Sequence, residues 1–370
     1  MAAFDSLSTP IAASDPLGEL AWSKTKHIEA MNELFFAQAG MTAAARGNQD
    51  SFKRKAGVPI IIYEELESKA GSEIRIPMRR QLTSTPRSAY GTIQNYGVVS
   101  MLGLEEPLNY YDMAIKLGLI KHASGTDAPD FYSHYTSIDM EDDTRDALKD
   151  WIVTTHEEAI VDCYYETYPY FIQQQLSVTA VANTNTIYAG GVQAQAALSP
   201  THIFNANEAM RMHSFGRVKK LNPIKIGGSN CLVVLADTFE CTDLKRDPVY
   251  RELKDALPRG MDNPIAAGAM GIYQQLCIWE YERVRVATSG AQAANTGRII
   301  LTGADAVGVV YGSPPRIVER AETDYDDRWG RAIRQVWGAA LSRFQESDNS
   351  ATTQQSSAEW RVWRESETFA

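Results

Sequence analysis

The chain has 370 residues, 44% hydrophobic and 22% charged, with a formal net charge of -10. That length fills two domains or one elongated one around a sizeable core, and the acidic balance excludes a dedicated nucleic-acid binder, whose phosphate affinity needs clustered Lys and Arg. The four cysteines, Cys163, Cys231, Cys241 and Cys277, are widely spaced with no CxxC, which fits reduced, buried thiols better than a disulfide or zinc framework.

The opening MAAFDSLSTP has no basic region followed by an apolar run, so no signal peptide is expected. No apolar stretch reaches the roughly 18 residues that span a bilayer, and a soluble protein made in cytoplasm is the expectation. Residues 1 to about 20 are small and polar with Pro10 and Pro16, the composition of a mobile arm. Between Ala21 and Ala45 the spacing of Ile28, Met31, Leu34 and Phe35 predicts a short helix. KAGVPIIIYEEL, Lys55 to Leu66, is a brief apolar run beside turn residues.

From Gly71 to Leu82, GSEIRIPMRRQL alternates, with Ile74, Ile76 and Met78 on one face and Arg75, Pro77 and Arg79 on the other. Period two predicts a half-buried strand, and Pro77 places it at an edge. Residues 83–101, TSTPRSAYGTIQNYGVVSM, break that rhythm. A loop of this length in a compact domain usually has a task. The chain returns as a strand with Met113, Ile115 and Leu117 on one side. Residues 71–122 therefore read as a long two-stranded ribbon with an irregular tip. Such a ribbon is marginal alone in water, and another copy of the chain is its most economical support.

The segment from about 140 to 168 predicts a long helix, with Asp139 as N-cap, Asp142 in the first turn and Pro169 as stop. Leu148, Trp151, Ile152, Thr155, Ala159, Ile160, Cys163 and Tyr164 form one stripe at helical spacing. At 1.5 Å per residue the helix is roughly 45 Å long, the spine of an elongated subunit. Residues 173–200 are rich in Ala, Gln, Ser and Thr and read as irregular. A short helix follows, capped by Asn205 or Asn207 and stopped by Gly216. CLVVLAD, Cys231 to Asp237, is a continuous apolar run, hence a buried central strand. Cys277 to Trp279, Val284 to Val286 and RIILTG from Arg298 add strands, so about 220–310 reads as an α+β domain. Trp329 to Phe344 is a last amphipathic element, and the polar residues after it predict disorder, though Trp360 and Trp363 are unusual there.

No phosphate loop, dinucleotide fingerprint, nucleophile elbow or zinc helix occurs. The six histidines are scattered, and His156, followed by two glutamates, reads as part of a solvated helix face. Asp324, Asp326 and Asp327 lack the Asp-x-Asp-x-Asp-Gly pattern of a calcium loop and read as a turn. Lys53, Arg54 and Lys55 are too few to define a DNA site. No catalytic, cofactor-binding or metal residue is assigned, and an enzyme is not expected.

The ordered set of segments carries more information than any motif. After the alternating strand come LGLEEPLNYYDMAIKLGLIKHA, the long helix, LNPIKIGGSNCLVVLADTFECTDLKRDPVY, NPIAAGAMGIYQQLCIWEYERVRV, LTGADAVGVVYG and TDYDDRWGRAIRQVWGAALSRF. In that order they resemble the major capsid proteins of tailed bacteriophages, in particular the podovirus family of the coliphage N-four type, over about Leu34 to Phe344. The resemblance implies an α+β fold of the Hong Kong 97 coat type. It implies an N-terminal arm over 1–70, an extended loop over 71–122, and a peripheral domain over 123–220 with its spine helix at 140–168. An axial domain over 221–310, a return to the peripheral domain over 311–344 and a tail over 345–370 complete it.

Carried over by position, the resemblance makes Arg79, Arg80, Tyr90, Tyr96, Leu104, Glu105 and Leu108 inter-subunit residues of the extended loop. Leu148, Trp151, Ile152 and Ile160 become the core of the spine helix. The chain departs from the family in having Ala236-Asp237 where a histidine-proline pair is common, and in running on to Ala370. The implied function is self-assembly into pentamers and hexamers of an icosahedral virion shell around double-stranded DNA, in the cytoplasm of a bacterial host. A ribbon laid over a neighbour's spine helix makes a heterologous contact, which closes into rings, on the scale of roughly 2,000 Å² or more. A separate scaffolding protein, a portal and a decoration protein are the partners the resemblance implies. Trp360 and Trp363 are expected to dock the tail on a neighbouring subunit. A nanocompartment shell of the same fold and an acidic enzyme without a familiar motif are the alternative readings.

Overall fold

The computed structural model describes residues 33–44, 57–63, 72–79, 110–127, 140–166, 171–173, 186–188, 206–218, 221–226, 228–256, 269–285, 296–319, 328–345 and 353–363. A short helix α1 (Phe35–Gln38) leads into β1 (Thr42–Ala44) and β2 (Ile60–Tyr63). Strands β3 (Glu73–Arg79), β4 (Tyr110–Lys116) and β5 (Gly118–Asp127) precede the long helix α2 (Met140–Glu166). Next come β6 (Phe171–Gln173), β7 (Thr186–Tyr188), helix α3 (Ala206–Val218), β8 (Ile224–Ile226) and β9 (Ser229–Ala236). Helices α4 (Thr238–Arg246) and α5 (Pro248–Ala256) are followed by β10 (Gly271–Tyr273), β11 (Leu276–Glu280) and β12 (Thr296–Thr302). The chain closes with β13 (Val307–Glu319), β14 (Arg328–Leu341), β15 (Arg343–Gln345), β16 (Thr353–Gln355) and β17 (Ser357–Trp363).

Two sheets carry the body. A five-stranded sheet has the order β1-β2-β13-β14-β5, and an eight-stranded sheet runs β10-β11-β9-β12-β17-β6-β7 with β8 beside β9. The eight-stranded sheet is covered on both faces, which is why β9 is apolar without alternation. Val233 and Leu235 enter a core shared with α2 and the five-stranded sheet, whereas Leu232, Val234 and Ala236 enter a second core under α3, α4 and α5. The shared core also holds Ile160, Val161 and Tyr164 of α2 with Val307, Val309, Tyr311 and Trp337. It therefore ties the two sheets and the helix into one body.

The helix α2 lies on the five-stranded sheet along the line Leu148, Ile152, His156, Ile160 and Tyr164, all buried and four residues apart. Its phase differs from the expected stripe. His156 is not on a solvated face: it is 1% exposed and packs edge-on against Trp337 at 4.2 Å and Tyr311 at 5.9 Å. The following glutamates mislead because Glu157 is itself buried and bonded, and Glu158 alone is exposed.

Other expectations are corrected. Gly216 does not stop α3, which runs to Val218. A Cβ on the glycine would overlap the end of the Leu232 side chain, which would have to shift. Val284 follows a turn rather than forming a strand, although it is buried. Within the stretch read as irregular, Thr186–Tyr188 is a strand beside β6. The region expected as an arm contributes β2 to the interior of the five-stranded sheet, in parallel register with β13. Most of the helix expected between Ala21 and Ala45 lies outside the described residues, as do Asp139 and Pro169; α1 spans Phe35–Gln38.

The largest correction concerns the tail. Residues Ser357–Trp363 form β17, inserted between β12 and β6 of this subunit's own sheet. Its register with β12 runs from Thr296↔Trp363 to Thr302↔Ser357. Trp360 is 1% exposed and belongs to the core under α3 to α5. It is thus not an anchor waiting for a neighbour. A polar surrounding sequence hid a strand whose one acidic residue, Glu359, finds a buried partner within the sheet.

Candidate assembly surfaces

The ribbon of β3 and β4 pairs antiparallel from Glu73↔Lys116 to Arg79↔Tyr110 and forms a two-stranded unit of its own. Pro77 opposite Asp112 costs no ladder bond to a third strand, because none is present among the described residues. The base of the ribbon is fixed. Ile115 is fully buried against Val310, with Ile74, Ile76 and Leu117 packed around it. The Leu117 amide donates to the Ser72 carbonyl at 2.9 Å, closing that end. A Cβ on Gly338 would overlap the Lys116 carbonyl oxygen, so glycine lets the ribbon sit directly on β14. Arg79 lies at the far end of β3, while Arg80, Tyr90, Tyr96, Leu104, Glu105 and Leu108 are outside the described residues.

Of the spine residues, Leu148 and Ile152 pack on Ile317 and Ile333, and Ile160 enters the shared core. Trp151 is only half-buried; it stacks on His122 of β5 at 4.7 Å and 19°. The other aromatic end of the tail, Trp363, is placed by its backbone opposite Thr296.

Two polar junctions escaped the sequence. Leu34 supplies no side-chain cap to α1; instead Glu157 of α2 accepts from the Phe35 amide at 2.7 Å, and its other oxygen pairs with Arg283 at 3.1 Å. One carboxylate thus holds the N-terminal segment and the turn after β11 on the spine helix. Two turns further along α2, the Arg298 guanidinium lies 4.3 Å over the Tyr165 ring and makes a two-point bond to Glu359 at 2.6 and 2.9 Å. The Tyr165 hydroxyl donates to the Arg298 carbonyl at 2.7 Å. This joins helix, β12 and β17. Contacts of 61 to 133 residues' separation leave no local spacing to read.

Reactive chemistry is not assembled among the described residues. Burial pushes the thiols of Cys241 and Cys277 up to about 12, the opposite of an activated nucleophile. No group of three or more His, Cys, Asp or Glu is placed to hold a metal ion. A cleft of about 190 Å³, lined by His213, Gly216, Leu221, Asn230, Leu232 and Gln275 among others, is smaller than the roughly 300–1,000 Å³ of ordinary ligand sites. Among the described residues the exposed large apolar side chains are Leu119, Met210, Phe239 and Val249.

A long helix packs against both sheets, and a two-stranded ribbon rests on that body. Residues 23–358 match a family model for phage capsid protein, and the chain belongs to that family. Its fold is similar to the capsid of Ralstonia phage GP4, with 16% identity, a TM-score of 0.67, and 91% of this chain and 92% of that one covered. It is similar also to the Cyanophage Pam1 capsid, at 17% identity and a TM-score of 0.58, covering 84% of this chain and 90% of that one. The acid-stable capsid of Helicobacter pylori bacteriophage KHP30 is a third such structure, at 14% identity and a TM-score of 0.60, covering 88% and 90%. No curated protein sequence matches. The fold is therefore a mixed α+β coat fold of the Hong Kong 97 type, and the chain is a major capsid protein, a non-enzymatic component of a multimeric virion shell.

Proposed function

We propose that the chain is the coat protein of a podovirus of the coliphage N-four type, assembling as pentamers and hexamers of an icosahedral shell around double-stranded DNA. The eight-stranded sheet serves as the axial domain at the ring centre. The five-stranded sheet with α2 serves as the peripheral domain, and the ribbon with residues 80–109 as the extended loop that reaches a neighbour. Subunits are made in the bacterial cytoplasm and assemble on a separate scaffolding protein. A portal completes the head, a decoration protein can bind outside, and the inner wall touches packaged DNA without sequence preference.

The observation that carries this reading is the ribbon itself. Its base is buried in the body, yet β3 and β4 add no strand to either sheet. A two-stranded ribbon is marginal in water without a surface to lie on. The experiment is to replace residues 84–101 by a short Gly-Ser turn. The body should unfold at the parent's temperature, and shells should no longer appear by electron microscopy. Normal shells from the shortened chain would contradict the role given to the loop.

A further inference from the structure

Among the described residues, strand β17 is the only link between β6–β7 and the rest of the eight-stranded sheet, because the order runs β12-β17-β6-β7. It pairs antiparallel with β12 from Ser357 to Trp363 and parallel with β6 from Glu359 to Arg361. Without it, β12 and β6 face each other across a slot two strand spacings wide, about 10 Å. Each wall then presents unpaired amides and carbonyls, a template that an extended peptide fills by strand addition.

The slot selects sequence on both faces. Ala358 and Trp360 enter the core under α3 to α5, opposite Leu301 and Ile299. Period two sends Ser357 and Glu359 to the other face, where Arg298 holds Glu359 by two points and lies over the Tyr165 ring. A guanidinium fork of this kind matches a carboxylate, and an amide cannot accept both bonds. Ser356 fixes the entry: its hydroxyl donates to the Ala304 carbonyl at 2.6 Å, and its carbonyl accepts from the Gly303 amide at 2.7 Å. Residues 356–360 are all buried. The ligand class is therefore an extended peptide of the pattern Ser-Ser-Ala-Glu-Trp.

Chain order adds a sequence of events. β17 follows every other described element, and a chain emerges from synthesis with its N-terminal side first. β6, next after α2, is made long before the strand that joins it to the sheet. Tyr165 near the end of α2 bonds the Arg298 carbonyl of β12, and the Arg298 side chain leads on to β17. Docking of β17 thus attaches β6–β7 and completes the junction between this sheet and the helix that also packs on the five-stranded sheet.

We propose that the slot between β12 and β6 is a strand-acceptor site, and that its occupation by β17 licenses the subunit for assembly. A chain lacking β17 stays out of particles, and the strand acts in trans when supplied as a peptide. The proposal rests on the coat-protein reading and names a regulation within it.

The full chain, given a specific protease site between Gln345 and Thr353, is folded and then cut. The released strand should stay with the body on size exclusion, with particle yield within about twofold of the parent. Stripping that fragment in dilute urea should lower the yield at least tenfold and remove hydrogen-exchange protection from β6 and β7. A synthetic peptide of residues 353–363 should restore both to within about threefold. The same peptide with Glu359→Gln or Trp360→Ala should need at least a tenfold higher concentration. Stripped subunits that assemble as well as the parent would overturn the proposal, and so would altered peptides that rescue equally well. Should stripped subunits aggregate, the uncut chain with Glu359→Gln decides. Its β6 and β7 amides should exchange at least fivefold faster, in step with β17, while β9 is unchanged. Protection of β6 and β7 that persists while β17 exchanges freely would also overturn it. If the unaltered chain forms no particles, the coat reading and the licensing role fail together, and peptide-dependent protection of β6 and β7 still decides the acceptor site.

Discussion

Replacing Trp360 by alanine separates a subunit core strand from an interface tail. The indole is 1% exposed, in the core under α3 to α5, on a strand with neighbours on both sides. Removing roughly 200 Å² of buried aromatic surface at about 25 cal/mol per Å² costs about 5 kcal/mol. Core Trp→Ala changes generally cost about 3–5 kcal/mol. A domain is stable by only about 5–15 kcal/mol, so the loss is a large fraction of the whole. The assay is urea unfolding of dissociated subunits followed by circular dichroism, because the substitution removes a fluorophore. The midpoint should fall sharply while the slope stays constant. An unchanged subunit midpoint, with weakened particles, would refute the reasoning and return Trp360 to an inter-subunit role.

Three further outcomes are expected. Arg298→Met leaves Glu359, 1% exposed, without its two-point partner and should destabilise the subunit by about 3–5 kcal/mol, measured by the same unfolding curve. The β10–β11 hairpin turns through Gln274 and Gln275 at φ 49° and 64°, a conformation suited to Asn-Gly. Gln274→Asn with Gln275→Gly should therefore raise stability by about 1 kcal/mol, seen as a higher melting temperature. No lysine occurs between Lys69 and Lys116, so the loop lacks a nucleophile for covalent locking. Mature particles boiled in denaturant should run as one band at the single-chain mass, not as a ladder.

The elements legible in the sequence are those whose pattern repeats locally. The unbroken run Cys231 to Ala236 reads as a strand covered on both faces, and the cores on its two sides account for it. The alternation in β3 and Pro77 within it read as an edge strand, in agreement with the two-stranded ribbon. Helix α2 is legible as a helix, and Leu148, Ile152, Ile160 and Tyr164 of its expected stripe are buried, yet the edge of the stripe at His156 is not legible. Whether His156 faces solvent depends on Tyr311 and Trp337, more than 150 residues away in sequence. The tail fails for the same reason. Glu359 and Arg361 make Ser357–Trp363 look like a solvated segment until β12 supplies Arg298. The loop residues Arg80 to Leu108 carried over from the family lie outside the described residues and stand as proposals.

The most direct measurement is electron microscopy of particles assembled from the full chain with its scaffolding protein. Closed icosahedral shells are expected, in which the ribbon of each subunit crosses onto the next. A population that stays monomeric or dimeric under every assembling condition, or shells in which each ribbon contacts only its own subunit, would contradict the account.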